Sequence, residues 1–191
     1  MNARILVAVI SSGLMAFGTG TLQTAHGAGA NGPNSTSPEI TLQQVHMVET
    51  RAGTKLWEVR ADRVDVHERE GVTILSRMSR PIEVTFYSTG GRLTCVANRA
   101  TVDLKTKDMR LEGEVFARSD QGTELRTEAL QWLAAPRRVQ TDQPVWISRG
   151  NLVSQGRGLE AETSLERVRI FRNITSQVGP LTSGARRSRT P

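Results

Sequence analysis

Few residues of this chain have types and spacing suited to chemistry. The stretch "ADRVDVH", residues 61–67, places Asp62, Asp65 and His67 in one short run, and carboxylates and imidazoles are the groups that general acid–base catalysis uses. Alternation along an extended strand, however, puts Asp65 and His67 on one face and Val64 and Val66 on the other. That is the pattern of a solvated face over an apolar one. His26, His46 and His67 are scattered, without the spacing of metal ligands. Cys95 is the single cysteine, which excludes an intrachain disulfide and any multi-cysteine metal site. Its setting in "GRLTCVANRA" reads as a strand in which the thiol packs as a small hydrophobe. "STGG" at 88–91 lacks the strand–loop–helix context of a phosphate loop. No nucleophile–base pair emerges, so the chain reads as a non-enzyme with no cofactor and no metal.

The elements that would position any site are strands. In "LEGEVFARSDQGTELRTEALQW", residues 111–132, Leu111, Val115 and Ala117 share one face and Glu112, Glu114 and Arg118 the other. Asp120-Gln121-Gly122 supplies turn chemistry between two such runs, so the stretch reads as a hairpin. The pattern repeats. "ADRVDV", "ANRATVDL", "TEALQW" and "GRGLEAE" each open a unit that ends in an alternating strand: "IEVTF", "GEVFA", "PVWIS" and "RVRIF". Measured through Val64, Ala100, Leu130 and Leu159, the spacings are 36, 30 and 29 residues, a period typical of stacked supersecondary units. The expected inner positions are almost all aliphatic: Val64, Val66, Ile82, Val84, Phe86, Val102, Leu104, Leu111, Val115, Leu130, Val145, Ile147, Leu165, Val168 and Ile170. Two such sheets packed tightly make an ordinary sandwich core. Splayed, the same residues line a groove for acyl chains.

At 191 residues the chain can bury one core. A formal charge of +6 invites a nucleic-acid reading, but its distribution argues otherwise. Every acidic residue lies between Glu39 and Glu166, and the excess sits in Arg4, Arg172, Arg186, Arg187 and Arg189. The cationic signal belongs to the ends of the chain, and no nucleic-acid partner is expected. After Arg4 no charged side chain occurs until Glu39. An apolar helix from Ile5 to Leu22 would rise about 27 Å, close to the hydrocarbon thickness of a bilayer. Residues 1–27 are therefore expected to be a single-pass membrane anchor, or a signal segment whose Ala25-His26-Gly27 offers a cleavage site. Either way the body crosses the membrane, and Arg4 stays on the cytoplasmic side. Residues 28–44 read as a flexible linker, 45–175 as the folded body and 176–191 as a disordered Arg-rich tail.

With these patterns in place, the chain resembles a known family. "GTKLWEVRADRVDV", with Gly53, Trp57 and Ala61, resembles the opening motif of the LptC family. "LEGEVFARSDQGTELRTEALQWLAAPRRVQTDQPVWI" resembles its middle hairpins, and "GNLVSQGRGLEA", with Gly156 and Gly158, its closing segment. The resemblance covers about 45–171. It implies an all-β fold, a twisted, slightly open β-jellyroll of repeated antiparallel hairpins preceded by one N-terminal apolar helix. It also implies a role in lipopolysaccharide transport from inner to outer membrane, with lipid acyl chains held in the jellyroll groove. The partners implied are lipopolysaccharide, an LptB2FG-type ABC transporter on which the protein docks, and an LptA-like periplasmic protein joined edge to edge by β-augmentation. Under that reading Arg169 lies on the last strand, the exit edge, with Val168 and Ile170 pointing into the groove. Two other readings stay open: a soluble LptA-like bridge protein with a cleaved signal peptide, or a structural β-repeat protein that binds no lipid.

Overall fold

The computed structural model describes residues 37–179 and the backbone of Ile5–Val9. The described chain is all-β, twelve strands joined in one antiparallel sheet with no helix among them. The strands are β1 (Ile5–Val9), β2 (Ile40–Arg51), β3 (Thr54–His67), β4 (Val72–Ser76), β5 (Ile82–Ser88) and β6 (Gly91–Ala97), followed by β7 (Arg99–Asp103), β8 (Met109–Ser119), β9 (Glu124–Leu133), β10 (Arg138–Arg149), β11 (Leu152–Glu162) and β12 (Val168–Val178). The hairpin read from 111–132 is β8–β9, and Gly122, at φ 81°, closes its turn. The apolar helix expected over Ile5–Leu22 lies outside the described residues except for Ile5–Val9, which run as a strand antiparallel to β2. The expected tail is described only as far as Gly179.

One sheet becomes a two-layered body because nearly every long strand breaks its regularity at the same level. Gln44 on β2 has φ 52°, and opposite it Asp62 drops out of the β2–β3 register. Gly113 and Glu114 on β8 have φ 79° and 50°. The pairings of β9, β10, β11 and β12 each shift by one residue along the same line. A shift of this kind bends the strand and increases its twist. On one side of the line β3 pairs with β5 and β8 pairs with β6; on the other side their partners are β4 and β7. The sheet thus folds into two halves, and the buried cluster draws side chains from both.

Two side chains brace the bend. Asp62 accepts hydrogen bonds from the Ser79 and Arg80 backbone N–H groups at 3.0 and 2.8 Å and from both their side chains. Those bonds hold its carboxyl far below the ordinary aspartate range. Asn98 accepts from the Arg77 guanidinium at 2.8 Å and donates its own N–H to the Glu112 and Gly113 carbonyls at 3.1 Å. A Cβ on Gly113 would lie 3.0 Å from the Asn98 side chain, so glycine there satisfies both the backbone angle and the approach. The trio Asp62, Asp65 and His67 is therefore not one solvated face. Asp62 and Asp65 are anchors, and His67 is buried at 7% exposure with Nδ1 unpartnered.

Candidate functional site

The inner positions read from alternation converge. Val64, Ile82, Val84, Phe86, Val102, Leu111, Val115, Leu130, Val145 and Ile147 belong to one buried cluster with Leu165, and Val66, Val168 and Ile170 pack half-buried against it. Leu104 does not join them. Strand β7 ends at Asp103, and Leu104 sits half-buried in the following turn with its N–H on the Gly71 carbonyl. Trp57 and Ala61 are buried on the inner face of β3.

The motif glycines act through backbone geometry. Gly53 at φ 79° and Ala52 at φ 49° form the two-residue β2–β3 turn, where successive positive φ values match the strand twist. A Cβ on Gly156 would strike the Ile170 side chain and come within 2.9 Å of the Arg172 carbonyl oxygen. Bare backbone there lets β12 close on β11. Gly158, at φ 74°, sits against Phe171, whose ring would be 2.9 Å from an added Cβ. Arg169 is exposed, its guanidinium 5.6 Å from the Phe171 ring centre.

Alternation left undetected the parts that close the interior. Phe86 on one half stacks on Trp132 of the other, ring centres 4.7 Å apart. The Trp132 indole N–H donates to Thr163 Oγ1 at 3.1 Å, and that hydroxyl donates to the Arg137 carbonyl at 2.7 Å. Thr163, Ser164 and Leu165 are buried although they lie in the β11–β12 loop, residues 163–167. Leu165 holds φ 57°, a strained conformation for a large side chain, which surrounding contacts must enforce. The same loop meets the hairpin turns of the opposite half. Glu166 accepts a hydrogen bond from Gln121, and Ser164 Oγ would be 3.1 Å from a Cβ on Gly90. At the other side Lys107 approaches Glu49 Oε2 at 3.9 Å, and this buried oxygen accepts no hydrogen bond.

Beyond the loop lies an apolar cavity that borders the core. The cavity, of about 350 Å³, is floored by Ile147, Leu152, Leu165, Val168, Ile170 and Ile174 and rimmed by Thr123, Ser148, Arg149, Ser154 and Glu166. Leu152 and Ile174 are 41% and 57% exposed. The volume falls in the range of small-molecule sites, and an apolar floor with a polar rim suits an amphiphile. Sequence reading found Ile147, Leu165, Val168 and Ile170 but missed Leu152 and Ile174. Leu152 opens a strand straight after a turn, and Ile174 follows the positive φ of Asn173, so neither belongs to an unbroken alternation. β12 is the outer strand here, paired with β11 and with no other strand among the described residues.

This architecture defines the chain as a β-jellyroll. The solved structure of LptH from Pseudomonas aeruginosa, the LptA-homologous periplasmic component of the lipopolysaccharide transport device, is similar with a TM-score of 0.53 at 15% identity, over 65% of this chain and 95% of LptH. The family described as lipopolysaccharide-assembly, LptC-related, matches residues 5–178. The chain belongs to the LptC family. No curated protein matches it in sequence.

Proposed function

We propose that the chain carries lipopolysaccharide from the inner toward the outer membrane by sheltering acyl chains between its two half-sheets. The observation that carries this reading is the apolar mouth formed by Ile147, Leu152, Val168, Ile170 and Ile174, which shares Ile147 and Leu165 with the aliphatic core. Moving acyl tails through water would cost about 0.8 kcal/mol for each CH₂, so a continuous apolar path removes the main barrier. The loop at 163–167 separates mouth from interior and acts as its gate. In the same reading, the chain docks on an ABC transporter at its N-terminal side, from a single-pass anchor in the inner membrane, and passes lipid to an LptA-like protein paired along β12. An outer strand with unpaired backbone groups is a template for such pairing. Among the described residues no helix is long and apolar enough to cross a membrane. The chemistry needed is partition rather than bond making, which agrees with a transport component and not an enzyme.

A photocrosslinking side chain at Ile147 or Ile170 is expected to capture lipopolysaccharide in envelope preparations, whereas one at Arg126 or Trp146, on the outer face, is not. Equal capture from both faces would overturn the interior path. A second reading, a soluble bridge protein, is favoured by the likeness to LptH. The N-terminal residue of the mature chain separates the two, because a start near Ala28 belongs to the soluble form.

A further inference from the structure

The apolar floor of the mouth continues as an exposed strip to the last described residue. Ser154 and Ser176 hydrogen-bond side chain to side chain at 2.8 Å, so they share one face of the β11–β12 pair. Leu152 and Val178, opposite each other in register, and Ile174 each lie two residues from one of these serines and share that face. It is the face of the mouth, because Leu152, Ser154 and Ile174 border the cavity. Leu152 and Ile174 are exposed and Val178 is 71% exposed, and a contiguous apolar strip of this kind marks a contact site. The strip ends at Gly179, which two hydrogen bonds tie to Asn151. The Gly179 N–H donates to the Asn151 carbonyl at 2.9 Å, and its carbonyl accepts from the Asn151 side-chain amide at 3.2 Å.

The sequence then continues as "PLTSGARRSRTP". Pro180 has no N–H with which to extend the ladder on β11, and Gly-Pro is a turn dipeptide. Leu181 is the only large apolar side chain of residues 180–191. Two residues span at most about 7 Å, so the tether from Gly179 keeps Leu181 close to Leu152 and Val178. We propose that residues 180–191 fold back as a strap over the mouth, with Leu181 seated on the strip formed by Leu152, Ile174 and Val178. A short tether presents Leu181 at an effective concentration of about millimolar, so a single apolar side chain is enough to populate the contact. Thr182, Ser183 and the arginines Arg186, Arg187 and Arg189 stay in water. Under the transport reading, on which this consequence rests, the strap covers the mouth until an acyl chain displaces it.

The test uses the full chain in phospholipid nanodiscs with a photocrosslinking side chain at Leu181. It is expected to join Leu152 or Ile174 of the same chain, in a yield independent of protein concentration, whereas one at Thr190 should join neither. Ser154→Cys on the rim reports cover, since the native Cys95 is buried and does not compete for a maleimide. Adding Leu181→Ser should speed alkylation by N-ethylmaleimide at least threefold, and Leu181→Met should keep the slow rate. Excess lipopolysaccharide should lower the Leu181 crosslink. If the crosslink and the slow alkylation persist undiminished in its presence, the strap stands and acyl carriage through the mouth fails. If lipopolysaccharide is captured from Ile170 while Leu181 reaches neither Leu152 nor Ile174, the transport reading stands and the strap is overturned. Crosslinks that form only between chains would assign the strip to a second copy and overturn the strap, as would equal alkylation with and without Leu181→Ser.

Discussion

Glu49 and Glu58 lie on neighbouring strands and face opposite ways, and their carboxyl groups respond oppositely. Burial raises the Glu49 carboxyl above the ordinary glutamate range, against the partial opposing pull of Lys107 and Arg51. At Glu58 burial also pushes upward, but hydrogen bonds from Lys55, His46 and Tyr87 overcome it and hold the group at about 2. The signs follow from linkage. A raised folded-state value makes the charged form costly, so that cost grows as pH rises through it; a depressed value contributes stability that is lost as pH falls toward it. Glu49→Gln is therefore expected to gain stability relative to wild type between pH 4 and pH 8. Glu58→Gln should lose roughly 1 kcal/mol at pH 7, a small figure because its partners are exposed and screened, and the loss should vanish in acid. Chemical denaturation across that range checks both, and parallel pH profiles for the two variants would contradict the assignment. The inward place of Glu49 was legible, because Val45, Met47 and Glu49 alternate in one phase. That its pair with Lys107 spans the two halves was not, since the partner comes from a loop far along the chain. At Gly156, Gly→Val overpacks the β11–β12 contact against Ile170 and should cost about 1–3 kcal/mol, read as an earlier unfolding midpoint.

At the scale of elements, strand identity follows from local alternation, while the bend depends on where alternation fails. Trp57, Val59 and Ala61 share one phase on β3, yet Val64 is buried in the other. Read as one unbroken strand, 54–67 cannot place both sets inside, and only the shared level of Gln44, Asp62, Gly113 and Asn173 reveals a fold line. The β11–β12 loop was hidden for a related reason: "TSLER" is polar by composition, but its first three residues are tucked between the halves by Trp132, Arg137 and the opposing turns. Trp132→Ala should cost about 3–5 kcal/mol, as for a fully buried large aromatic. Thr163→Val is the milder probe. It keeps the shape, removes the acceptor for the indole N–H, and should cost about 1–3 kcal/mol, checked by the denaturation midpoint. On β12, Arg169→Ala should leave capture of an LptA-like partner nearly unchanged, because augmentation uses backbone groups. Arg169→Pro deletes an N–H and fixes φ, so co-purification of that partner should fall sharply while the body stays protease-resistant. Full retention by the proline variant would remove β12 as the docking edge.

For the whole molecule, the two halves are joined along the bend and meet again where loop 163–167 touches the hairpin turns opposite; under the proposed transport role, lipid passes from interior to mouth only if that second contact parts. The contact can be tied. An ideal Cβ at Gly90 falls 3.4 Å from the Ser164 Cβ, close to the spacing a disulfide needs, and Gly90 has no positive φ to forbid a side chain. The native Cys95 is fully buried, and burial pushes its thiol up, so it does not compete for oxidation. In Gly90→Cys/Ser164→Cys the oxidised form should be more stable than the reduced form by about 2–4 kcal/mol. A photocrosslinker at Ile170, in the mouth, should still capture lipid from the outer side in both forms. One at Val115, inside the tied contact, should capture lipid only after reduction. If Val115 labels equally in oxidised and reduced protein, the halves need not part at this contact, and the path must run along the outside of the loop. If neither position labels in either form while the chain still reaches its partners, the interior is core alone and the transport role rests on docking.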